Sequence, residues 1–140
     1  MKLAGYIFLL LCFTIPIQAQ EVLGKWENKN EDGKVNSIIE IFKKGDEVYG
    51  RVDRIIKEED RDRLCTKCEG DLKNVPMEGM EIMKGLTKED DGYGGGTIVD
   101  PKTGKEYRCK IWLDEDNPDI LKVRGYISLF YQTRTWHRAE

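Results

Sequence analysis

The chain has 140 residues, with 23 Lys and Arg against 26 Asp and Glu, a formal net charge of −3 and one histidine. Charges of both signs are interspersed, so no basic footprint for nucleic acid or anionic lipid is present. A chain of this length makes one domain with one core.

The first elements are those of an export signal. Lys2 precedes an apolar run from Ala4 to Phe13, interrupted only by Gly5 and Tyr6, and Pro16 and the small Ala19 follow. This is the order of n-region, h-region and cleavage site, which places a signal peptide over residues 1–19 and a single mature domain over residues 20–140. The apolar run is shorter than the ~20 residues that span a bilayer, so an integral membrane protein is not expected. Export to the periplasm or the extracellular space is.

From Glu21 onward, strand-like runs alternate with turn chemistry. "VLGKWEN" is followed by Asp32-Gly33, "NSIIEIFK" by Lys44-Gly45-Asp46, and "EVYGRVDRII" by a long charged loop. Asp-Gly between β-branched and aromatic runs signals a hairpin, because glycine accepts the positive φ that other residues resist. Residues 75–84 carry a weak helical pattern that also fits a strand. "DGYGGGTIVD" resembles a phosphate loop only superficially, since strand rather than helix follows it; its glycines fit a bulge or a close approach of two backbones. In "DPKTGKEY", Asp100 and Pro101 open a turn and Gly104 is free to take a left-handed conformation. Tyr107, Cys109, Ile111 and Leu113 then alternate with Arg108, Lys110 and Trp112, and Leu121, Val123, Gly125 and Ile127 with Lys122, Arg124 and Tyr126. Period two gives each strand one dry face. "QTRTWHR" is the last run. The whole reads as an all-β antiparallel up-and-down barrel of about eight strands, in which closure removes exposed edges.

Three stretches resemble a known family. "GKW", "DPKTGKEY" and "LKVRGYI" followed by "TRTWHR" are similar to the bacterial secreted family catalogued as domain of unknown function 2147. The resemblance implies a lipocalin-like (calycin) barrel outside the cytoplasm with no established activity. Gly24 and Trp26 are similar to the lipocalin G-x-W signature, in which an arginine of the last strand covers the indole and closes one barrel end; Arg138 and Arg134 are the candidates here. A guanidinium over a partly desolvated indole is worth ~1 to 2 kcal/mol.

After cleavage three cysteines remain, Cys65, Cys68 and Cys109. Oxidising conditions make a disulfide between Cys65 and Cys68 the preferred reading, stapling the base of the long loop. Cys109 and His137 would complete a Cys₃His zinc set, but Cys109 lies on the apolar face, where a free cysteine acts as a small hydrophobe. A redox role needs a helix N-terminus and positive surroundings, and the hook is flanked by acids instead. No metal or cofactor is therefore expected. Ser37 and Ser128 sit in no nucleophile pattern, the acids cluster in solvated loops, and His137 alternates with Trp136 onto the outer face, so no catalytic residue is assigned.

Two functions are left. The first is a non-catalytic binding module for a small apolar or amphipathic ligand, with Leu129, Phe130 and Tyr131 of "SLFYQ" as candidate contacts, read as an apolar connection near a barrel mouth. The second is a structural or partner-binding envelope protein with a filled barrel. The small inward residues Val48, Gly50, Val52, Val123 and Gly125 lean slightly toward space inside, while the inward Tyr107 leans away.

Overall fold

The computed structural model describes residues 21–140, and the signal-peptide reading falls outside them. Eight strands follow in chain order: β1 (Gly24–Lys29), β2 (Val35–Lys44), β3 (Glu47–Ile55), β4 (Glu81–Glu89), β5 (Gly92–Val99), β6 (Glu106–Leu113), β7 (Ile120–Ile127) and β8 (Phe130–Arg138). Each pairs antiparallel with the next, and β8 returns to β1 through Trp26↔Arg138 and Glu27↔His137. The result is the closed meander that turn spacing and alternation predict.

The topology sorts the connections into two ends. The β2–β3, β4–β5 and β6–β7 turns lie at the end where Trp26 meets Arg138. The β1–β2, β3–β4, β5–β6 and β7–β8 connections lie at the other. The core fills the first end: Val22, Trp26, Ile39, Ile41, Val48, Met83, Leu86, Ile111 and Leu121 are buried in one cluster. Each such aliphatic side chain contributes roughly 1.5 to 3 kcal/mol on burial. Of the small inward residues, Gly50 faces Met83 and Ile39, so the space that it leaves is taken by its neighbours.

Two expectations change. Residues 75–84 form neither a helix nor one strand: Val75–Met80 is loop, and β4 begins only at Glu81. The backbone joins the loop to β3 before β4 starts, with the Gly79 and Val52 N–H groups donating to the carbonyls of Val52 and Met80 at 2.6 and 2.9 Å. "SLFYQ" is also not a connection. Ser128 and Leu129 alone make the turn, with Ile127 paired to Phe130, and Phe130 and Tyr131 already belong to β8. Ser128 takes the positive φ of 55° that a glycine would have advertised.

The glycine run of β5 lies in strand. The β5–β6 register shifts between Tyr93 and Gly96, which is the bulge expected there. Cys109 is buried on the inner face of β6, and burial pushes its thiol up to about 12. It should resist thiol reagents in the native protein at pH 8 and react once denaturant is added. Because the unfolded thiol ionises near ~8.5 and the folded one does not, stability should fall as pH rises from about 9 toward 12. Cys109→Ala should flatten that fall in a pH series of denaturant midpoints, and native-state labelling at pH 8 would contradict the burial.

Candidate functional site

The first end is sealed. Trp26 is 0% exposed, and its Nε1–H donates to the Val22 carbonyl at 2.8 Å. The guanidinium of Arg138 lies 4.3 Å from the indole centroid. It also donates to Asp119 Oδ1 at 3.1 Å and to the carbonyls of Pro118 and Glu21 at 3.0 and 3.3 Å. One side chain thus covers the ring, ties the β6–β7 loop to the segment preceding β1 and satisfies two backbone acceptors. Gly24 lies beside it: a Cβ there would stand 3.9 Å from Arg138 Nη1. Arg134, the other candidate for this cover, is elsewhere. Four residues earlier on β8, it pairs with Val123 and lines the far half of the interior.

The opposite end is roofed on one side by two loops that pack together. Asp100 opens the β5–β6 turn, taking the Gly104 N–H on its carbonyl at 2.7 Å and the Lys102 N–H on Oδ1 at 2.9 Å. Gly104 has φ +73°, and a Cβ added to it would collide with the carbonyl of Lys67 in the β3–β4 loop. Cys65 and Cys68 are joined as a disulfide and are both buried, and Cys65 Sγ lies 3.3 Å from the Pro101 carbonyl oxygen. Asn74 and Cys65 exchange with the same loop's backbone, Asn74 N–H donating to Cys65 O at 2.9 Å and Cys65 N–H to Val75 O at 2.8 Å. The staple therefore holds a folded platform onto which the Asp100–Gly104 turn docks.

Beside this roof a cavity of about 160 Å³ opens into the barrel. Its floor is apolar, built from Ile82, Val99, Val123 and buried Trp136. Toward the mouth its lining becomes polar, with Asn28, Tyr107, Gln132 and Arg134. Gln132, Arg134 and Trp136 are alternate residues of β8, paired with Gly125, Val123 and Leu121 of β7, so the pleat turns all three inward. Asn28 Nδ2–H donates to Ser37 Oγ at 3.4 Å, the two occupying paired positions on β1 and β2.

The apolar residues singled out in the sequence do not line this cavity. Leu129 and Phe130 are 92% and 80% exposed at the tip of the β7–β8 hairpin, at the same end as the mouth. Tyr131 packs outside the barrel under the Arg124 guanidinium, 4.2 Å from its ring centroid. His137 pairs with Glu27 and Ile120 and alternates with inward Trp136. Among the described residues, no three His, Cys, Asp or Glu side chains stand close enough to hold a metal ion. Nor does any helix among them reach the length and apolarity needed to cross a membrane.

The lining residues Asn28, Ile82, Gln132 and Trp136 were not picked out from the sequence. The one local signal was "QTRTW", where polar and charged residues share their parity with a buried Trp.

An eight-stranded meander, sealed at one end by a Trp–Arg pair and hollow at the other, defines a lipocalin-like barrel. The chain belongs to the family described as "Uncharacterized protein conserved in bacteria (DUF2147)", whose profile matches residues 24–138. A solved structure described as protein HP1028 from the human pathogen Helicobacter pylori, belonging to the lipocalin family, superimposes with a TM-score of 0.73. That match covers 87% of this chain and 85% of the other at 17% identity, a likeness of fold. No curated protein sequence matches the chain.

Proposed function

We propose that the protein is an exported, non-catalytic binding module that holds one small amphipathic ligand in the open half of its barrel. The observation that carries this reading is the cavity itself, with an apolar floor at Trp136 and a polar mouth at Gln132 and Arg134. Ligand sites combine apolar lining with a few placed polar groups in this way. The volume of about 160 Å³ is close to that of an engineered apolar cavity that takes up benzene, so the enclosed part of the ligand is about that size. A long acyl chain does not fit inside. Export rests on the order of residues 1–19.

Native mass spectrometry of the exported protein, before and after solvent extraction, tests the proposal. An added mass that extraction removes is the expected result. A bare chain that also fails to take up any small aromatic or aliphatic probe would leave the second reading, a partner-binding scaffold. The exposed ridge of Leu129 and Phe130 favours that one.

A further inference from the structure

Building on the ligand-binding reading above, we propose that the cavity selects a small monocarboxylate, with a short aromatic or aliphatic body on the Trp136 floor and its carboxylate on Arg134. The first ground is charge placement. Arg134 has the inward parity of β8 and stands solvent-exposed at the cavity mouth, and among the described residues no carboxylate lies within ion-pairing distance of it. A guanidinium at the mouth of an apolar cavity is placed to meet the head group of an anion whose body lies on the floor. Its planar fork matches a carboxylate's two oxygens.

The second ground is the company it keeps. Tyr107 and Gln132 line the same mouth and supply neutral hydrogen-bonding groups. Asp100 is the one carboxylate in the lining, and its Oδ1 is engaged by the Lys102 N–H of its own turn. Its negative charge partly offsets that of Arg134, which favours an anion carrying a single charge over a dianion such as phosphate. The third ground is size. A ring or a short chain fills the floor and leaves its head group at the level of Arg134, one inward step nearer the mouth than Trp136.

The test titrates the mature protein with benzoate, benzyl alcohol, benzylamine and inorganic phosphate, following the Trp136 indole N–H and the Val123 and Gly125 amides by NMR. Benzoate should shift these resonances at the lowest concentration. Benzyl alcohol should bind roughly tenfold or more weakly, the usual worth of one charge-assisted contact. Benzylamine and phosphate should not compete. Arg134→Gln, at an exposed position that leaves the fold intact, should bring benzoate down to the level of benzyl alcohol without changing the alcohol. Arg134→Lys should recover part of the difference, and added salt should weaken benzoate alone.

Benzyl alcohol binding as tightly as benzoate, with Arg134→Gln affecting neither, would overturn the anion assignment and leave the binding module standing. Competition by phosphate equal to that of benzoate would replace the monocarboxylate by a general anion. If no probe moves any of these resonances, the binding module itself falls with it.

Discussion

Trp26→Ala should lower stability by about 3 to 5 kcal/mol, the range for removing a large buried aromatic whose space cannot fully collapse. The indole has no exposure, its N–H is spent on Val22, and its face carries Arg138. Truncation therefore leaves a void, an unsatisfied carbonyl and a guanidinium without its platform. It also opens the sealed end, because Trp26↔Arg138 and Glu27↔His137 are the register pairs that close β1 onto β8. Denaturant unfolding reads the change as a lower midpoint. A midpoint equal to that of the wild type would remove the Trp–Arg closure from the account of this barrel.

The second large effect lies at the other end. Gly104→Ala should cost about 2 to 4 kcal/mol, since it combines a left-handed backbone with overpacking against a carbonyl that cannot move without its loop. Gly33 supplies the control. It has φ +76° in the β1–β2 turn but nothing within 4 Å of where a Cβ would be, so Gly33→Ala should cost only the conformational part, about 1 to 2 kcal/mol. The difference between the two variants measures how firmly the Asp100–Gly104 turn sits on the disulfide-stapled loop. Equal costs would mean that the two loops do not support each other.

Much of the architecture was readable from local chemistry. Asp32-Gly33 and Gly45 marked hairpins because only residues tolerant of positive φ serve there, and Tyr107-Cys109-Ile111 announced its own dry face. The failures also have physical causes. The turn at Ser128-Leu129 contains no glycine, asparagine or aspartate, so nothing local marks where β8 begins and the pattern alone puts Phe130 and Tyr131 in a connection. Residues 75–84 contain enough apolar groups for a helix or a strand, and what divides them is Gly79, whose positive φ of 87° ends the loop just before β4. The cavity has no local signature. Its wall takes isolated residues from β1, β4, β5, β6, β7 and β8, and only barrel register brings them together. On β8 the inward residues Gln132 and Arg134 are polar, so the alternation that usually reveals an inner face is inverted at the place where that face lines the cavity.

Arg138 reaches back to the Glu21 carbonyl, and the Ala139 N–H donates to Lys25 O at 3.0 Å, so the two ends of the described chain leave the barrel side by side under the Trp26 plug. The cavity mouth is at the far pole. A protein attached through either terminus to a bead, a sensor surface or a fusion partner would hold its mouth outward, with the attachment and the cavity on opposite faces. The same adjacency permits a short linker to join the ends and new ones to be cut at the Lys44–Glu47 turn. Such a permutant would rearrange the chain order while leaving the cavity wall untouched.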